Sequence, residues 1–245
     1  MTLIKHRIIE VALERSLRAT TVKSYETLLG RIGLLERDVT SVTKEQALEL
    51  VWELQNPNTR RSTVIALRSV LGLEIRVPRG MPRRYELASE DTLRMGLMLS
   101  PYEIRGLLMM YAGLRVGEAC AVTSRDVQGD RLVVDKQVVE LTGRVGPVKT
   151  VEAPIVIPYW LAERLALLKE SDSPAAVRES LRRAGKKVGI TLNPHMLRHW
   201  YATHLLASGV PMVVVSRQMR HSDIATTLRT YAQANDGLAI HDVLG

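Results

Sequence analysis

The stretch Arg76-Val77-Pro78-Arg79-Gly80-Met81-Pro82-Arg83-Arg84-Tyr85 does most to limit the architectures open to this chain. Two prolines and a glycine break helical periodicity there, and residues before proline are pushed toward extended backbone. Four arginines with no acid among them give the stretch a charge suited to crossing a phosphate backbone. It reads as a basic inter-domain linker over 76–85, separating a small unit over 1–75 from a larger one over 86–245.

The first unit reads as all-helical. Thr20 to Tyr25 opens a helix whose Val22, Tyr25, Leu28 and Leu29 share a face. Thr43-Lys44-Glu45-Gln46 is a capping-box pattern leading into a helix through Leu54. Asn56-Pro57-Asn58 reads as a turn, and Ser62 to Leu71 as a further helix with Val64, Leu67 and Leu71 inward. Lys23, Arg60, Arg61 and Arg68 are candidates to reach a DNA backbone, together with Arg76, Arg79, Arg83 and Arg84 of the linker. Solvated helix faces carry the same residue types.

The second unit begins with helical patterning from Ser89. Ser100-Pro101-Tyr102-Glu103 reads as a capping box before a helix with Ile104, Leu107, Leu108 and Tyr111 buried, closed by Gly113. A short helix follows from Leu114 to Val122. Three strand-like runs come next, at 132–134, 137–141 and 153–157, with a long hairpin loop over 142–150 and an edge position for Pro154. The rest is helical: 159–169, 174–184 capped by Ser173, 194–207 closed by Gly209, 211–219, 223 to about 231, and a short helix after Asp236. The expected fold class is mainly α with a small antiparallel β-sheet.

Net charge is +8, which favours a polyanionic partner; nucleic acid fits better than a membrane because no basic amphipathic anchor stands out. Cys120 is the only cysteine, which excludes an intrachain disulfide and points to a reducing cytosol. Charges at Lys5, Arg7, Glu10, Glu14 and Arg15 interrupt the first seventeen residues and rule out a signal-peptide core. Apolar runs such as Val213-Val214-Val215 are too short to span a bilayer.

Asn193 is a good N-cap and Pro194 suits the first helical position. A helix starting there puts His195, Arg198 and His199 on one face near its positive end, a face suited to an anion such as a phosphate. His195 and His199 also have the spacing of a zinc pair, with His204 and His241 as further nitrogen donors. Met196 stands where a zinc-protease glutamate would be, and Arg198 on the same face would repel a cation. No metal is expected.

Four segments in order resemble the tyrosine recombinases, the family of phage integrases. Ala112-Gly113-Leu114-Arg115-Val116-Gly117-Glu118 is similar to the family's first box, and His195-Met196-Leu197-Arg198-His199 to its second. Met219-Arg220-His221 stands where the family usually has Leu-Gly-His, and Thr226 to Tyr231 resembles the segment that bears the nucleophilic tyrosine. The likeness implies a helical core-binding, SAM-like domain over 1–75 and an α+β catalytic domain over 86–245. It implies Tyr231 as nucleophile, with Arg115 and Arg198 gripping the phosphate through several always-charged N–H groups.

By the same resemblance His195 is a general base or phosphate donor, His221 a phosphate donor, and Lys149 the general acid toward the 5′-oxygen. Glu118 orients Arg115, and His199 supports the site through its own neighbours. Arg220, in place of the usual glycine, offers one more phosphate contact.

The implied activity is site-specific DNA recombination through a 3′-phosphotyrosine intermediate, without metal, ATP or other cofactor, for integration or excision of a phage or mobile element. The implied partners are double-stranded DNA at core-type attachment sites, three further copies in a tetramer on DNA, and an accessory directionality factor, in the cytoplasm of a bacterial host near the nucleoid. The core-binding pattern begins within the first twenty or so residues, so the expected form is a minimal one without an arm-binding domain. A Xer-like resolvase, a type IB topoisomerase and a non-cleaving DNA-binding regulator of the same fold remain as alternatives.

Overall fold

The computed structural model describes residues 2–81, 87–148 and 153–220. The chain divides into two compact units, Met1–Arg83 and Arg84–Gly245.

In the first unit, helices α1 (Ile4–Glu14), α2 (Ala19–Arg31), α3 (Lys44–Glu53) and α4 (Pro57–Leu71) surround a core that includes Ile4, Ile8, Leu29, Val51, Leu67 and Val70. Helix α1 is absent from the sequence expectation. Its N-cap, Leu3, offers no capping side chain, and the charges that exclude a signal peptide are its outer face: Arg7 holds Glu10 at 3.0 Å and Glu14 at 2.8 Å. The Thr43–Gln46 capping box forms as expected.

Helix α4 starts five residues before its expected position. Asn56 Oδ1 accepts the N–H groups of Asn58 and Thr59 at 2.9 and 3.2 Å, so the residues read as a turn are the cap and first helical turn. The chain beyond α4 stays with this unit. Ile75 enters the core, Arg61 donates to the Pro78 carbonyl at 2.7 Å, and the Asn58 side chain both donates to and accepts from the Met81 backbone. The first part of the basic stretch is therefore held along α4 by named hydrogen bonds.

The second unit contains α5 (Glu90–Met98), α6 (Glu103–Tyr111), α7 (Val116–Ala121), α8 (Tyr159–Leu165), α9 (Pro174–Lys187), α10 (Pro194–Ala207) and α11 (Met212–Gln218). Its strands are β1 (Val127–Gln128), β2 (Arg131–Val134), β3 (Lys136–Val138), β4 (Val145–Pro147) and β5 (Ala153–Val156). They form two antiparallel sheets, β1-β2-β5 and β3-β4, with β5 at an edge as Pro154 requires. Strand β4 lies inside the stretch expected as an open hairpin loop and pairs Val145 with Val138 and Pro147 with Lys136. Strand β3 stops at Val138 because the chain turns: the Gly143 N–H closes on the Val139 carbonyl at 2.8 Å.

Ser100 does not cap α6. Its hydroxyl accepts the Tyr102 N–H at 3.1 Å and meets the Ser180 hydroxyl at 2.9 Å, while Glu103 reaches across to Arg164 at 2.7 and 3.0 Å instead of back to a cap. Helix α10 lies against α6, with Trp200 edge-on to Tyr111 at 5.7 Å between ring centres. Tyr111 also meets Trp160 of α8 edge-on at 5.0 Å, which ties three helices together around one phenol. Burial and a hydrogen bond to Glu90 push that phenol up to about 12. The expected helices after residue 221 lie outside the described residues.

Candidate active site

Asn193 caps α10 by accepting the Met196 N–H at 2.9 Å, which sets the helix rotation that puts Arg198 inward. Arg198 is buried, with 5% of its surface exposed. Its Nη1 donates to the Gly113 carbonyl and its Nη2 to the Met219 carbonyl, the latter at 2.7 Å. One guanidinium plane thus spans the end of α6 and the end of α11.

Gly113 has φ +63°, and a Cβ there would lie 2.5 Å from the ring of Tyr201, one turn beyond Arg198. Only glycine lets the chain pass so close. Two residues on, Arg115 immediately precedes α7. Its backbone N–H donates to Glu118 Oε2 at 2.8 Å and its Nη1 to Glu118 Oε1 at 3.1 Å, so one carboxylate fixes both the backbone and the side chain of Arg115. Gly117 faces β3, where a Cβ would sit 2.8 Å from the Val138 carbonyl oxygen. The helix that carries Arg115 therefore rests directly on the β3-β4 hairpin.

Arg220 corrects the sequence expectation. Its side chain is 1% exposed and turned inward, with Nη2 at 2.5 Å from Glu118 Oε2, so it is not a surface group waiting for a phosphate. That approach is a charge contact without good hydrogen-bond alignment, and Nε is buried without a hydrogen-bond partner among the described residues. The residue has φ +51°, a left-handed conformation that costs a non-glycine residue about 1 kcal/mol. Burial pushes the Glu118 carboxyl up, but the Arg220 charge, the Arg115 N–H and the Arg115 charge together hold it below the usual carboxylate range. Glu118 is a carboxylate throughout the neutral range.

These contacts bring three of the four sequence boxes together: Gly113 to Glu118, Arg198, and Met219-Arg220. His195 sits exposed in the first turn of α10. Burial, and then the neighbouring His195, push the His199 imidazole down, so it is neutral at pH 7. Lys149, His221 and Tyr231 lie outside the described residues.

Sequence reasoning missed Arg105. It is 1% exposed, pairs with Asp172 at 2.6 Å, and donates to the carbonyls of Ala119, Val122 and Glu170 at 2.8, 2.6 and 2.6 Å. It anchors the C-terminal end of α7, the helix that follows Arg115. Its flanking apolar residues, Ile104 and Leu107, could have signalled a buried position.

Among the DNA-contact candidates, Lys23, Arg61, Arg68, Arg76 and Arg79 are exposed. Arg68 borders a shallow hollow with Arg15 and Tyr25. Arg60 folds back on its own unit, donating to the carbonyls of Leu54 and Trp52 and lying 4.9 Å over the Trp52 ring. Arg83 and Arg84 lie outside the described residues.

A family model described as the phage integrase family matches residues 100–237. Tyrosine recombinase XerA of Thermococcus kodakarensis is 33% identical over 167 residues, 62% of this chain and 58% of that protein. The chain thus matches somewhat more than half the length of this relative. Tyrosine recombinase XerD of Bifidobacterium longum is 24% identical over 90% of this chain and 89% of its own. Among solved structures, the Tn1549 transposon integrase in complex with circular intermediate DNA superposes with a TM-score of 0.76 at 17% identity, covering 99% of both chains. A lambda integrase dimer bound to a core site gives a TM-score of 0.65 at 17% identity, covering 94% of this chain and 93% of the other. At such identities these structures share the fold.

Proposed function

This chain belongs to the phage integrase family, and from that premise we propose that it is a site-specific DNA recombinase acting through a 3′-phosphotyrosine intermediate. The observation that carries the reading is the junction of Arg115 and Arg198: Arg198 is seated on the carbonyl of Gly113, two residues before Arg115, and Arg115 is locked by Glu118. Two permanent cations held this way suit a phosphorane, whose charge grows as the nucleophile approaches.

Tyr231 attacks the scissile phosphorus, forms the phosphotyrosine bond and expels the 5′-oxygen, which takes a proton from Lys149. The tyrosine proton passes to a base, for which His195 is the assigned candidate, and His221 donates to a non-bridging oxygen. Attack by a 5′-hydroxyl of the partner strand reverses the step and regenerates the phenol. Charge stabilisation by arginine and proton transfer by lysine leave no step that calls for a metal or a nucleotide. Strand exchange between two duplexes requires four such sites, hence four copies on two core-type sites, in the cytoplasm of a bacterial host. Whether the element is a phage or a chromosome-resolution system changes the DNA site and the accessory factors, not this chemistry; the relatives named XerA and XerD support keeping the second option.

The test is a nicked suicide duplex carrying the element's attachment region, which traps the covalent adduct. Wild type should give a protein–DNA adduct that survives denaturation, and Tyr231→Phe none. Absence of adduct from the wild type would remove the enzyme and leave a DNA-binding regulator.

A further inference from the structure

Glu118 is the only described carboxylate in the Arg115–Arg220 cluster, and it serves both guanidinium groups. Oxygen Oε2 receives the Arg115 backbone N–H at 2.8 Å and lies 2.5 Å from Arg220 Nη2, while Oε1 holds Arg115 Nη1. Both Glu118 and Arg220 are almost wholly buried, whereas the Arg115 side chain is 37% exposed. We propose that Arg220 is a positioning residue for Arg115, acting through Glu118. The proposal rests on the recombinase reading above.

Three observations support it. First, a turn that needed only a left-handed residue would be best served by glycine, yet this one carries a long cation at φ +51°. The side chain must contribute something that offsets the strain. Second, that side chain is directed away from solvent and toward one carboxylate oxygen, so its action on a substrate is indirect. Third, the residue before it supplies the carbonyl that seats Arg198, so fixing Arg220 also fixes the path of the Met219 backbone.

The decisive experiment measures single-turnover adduct formation on the suicide duplex, DNA affinity and thermal midpoint for wild type, Arg220→Gly, Arg220→Lys, Glu118→Gln and the Glu118→Gln/Arg220→Gly double variant. Arg220→Gly should form adduct about ten- to a hundredfold more slowly, as expected for a displaced catalytic group, with its DNA affinity retained. Arg220→Lys should recover much of that loss, because it restores the charge beside Glu118. In the Glu118→Gln background, Arg220→Gly should have no further effect on the rate.

Wild-type rate in Arg220→Gly would overturn the proposal, as would an equal slowing by Arg220→Gly with and without Glu118. If Arg220→Gly alone fails to fold because Glu118 is left unbalanced, the double variant, which buries neither charge, is compared with Glu118→Gln, which keeps the Arg220 cation, with the thermal midpoint of each showing that both are folded. Equal rates there uphold the proposal, and a slower double variant overturns it. A wild type that forms no adduct removes the recombinase reading and this proposal together; a reactive wild type with an indifferent Arg220 removes this proposal alone.

Discussion

A guanidinium can be buried only where its N–H groups find acceptors, and Arg105 meets four: the Asp172 carboxylate and three backbone carbonyls. Replacing it with methionine keeps much of the volume but orphans those oxygens. Arg105→Met should lower unfolding free energy by about 2–4 kcal/mol in a urea titration, because it strands three backbone carbonyls and the half-buried Asp172 carboxylate. A loss near zero would mean that water reaches the site and replaces the arginine. Arg105 and Arg198 differ in how visible they are in the primary sequence. Arg198 lies in a recognisable box with a cap before it, while Arg105 is one arginine on an amphipathic helix, and its acceptors come from residues fourteen to sixty-seven positions away. Arg220 was legible as a departure from the family pattern, but not its direction, since spacing cannot say whether a long side chain points to solvent or to a buried carboxylate.

Helix α7 holds only six residues, yet the arginine just before it, its N-terminal carboxylate and its contact with β3 all bear on the site. Gly117→Ala would put a methyl 2.8 Å from the Val138 carbonyl, a backbone atom that cannot swing away. The substitution should cost about 1–3 kcal/mol by overpacking and displace Arg115, so adduct formation should fall more than DNA affinity. Equal loss in both would point to general unfolding instead. The longer elements were readable because their ends carry chemistry: Thr43 with Gln46, Ser173 before Pro174, and Asn193 before Pro194. Helix α1 was not, since its cap is Leu3, and β4 was not, since Val-Gly-Pro looks like a turn until a distant strand pairs with it. Such pairings are decided by tertiary contact, which local propensity does not encode.

Over the whole chain the net charge of +8 implies that binding to duplex DNA weakens as salt rises. Each phosphate neutralised adds about 0.9 to the slope of log affinity against log salt. Arg76→Gln and Arg68→Gln should each reduce that slope by about 0.9 in anisotropy titrations across potassium chloride, if each residue meets one phosphate. Arg60→Gln should leave it unchanged, because that guanidinium is already engaged with the Leu54 and Trp52 carbonyls. The division into two units was visible in the Pro-, Gly- and Arg-rich stretch, although its docking on α4 through Asn58 and Arg61 was not. One last consequence follows from the seat of Arg198, whose two acceptors are main-chain oxygens. A point mutation can replace any side chain but cannot delete a carbonyl, so Met219, whose side chain is buried with Tyr201, Leu206 and Val215, can give way to other apolar residues of its size without unseating its partner. Mutational scanning should therefore find position 219 tolerant of apolar residues of similar volume, and intolerant of polar or charged residues and of changes, such as proline or insertion, that reroute the chain.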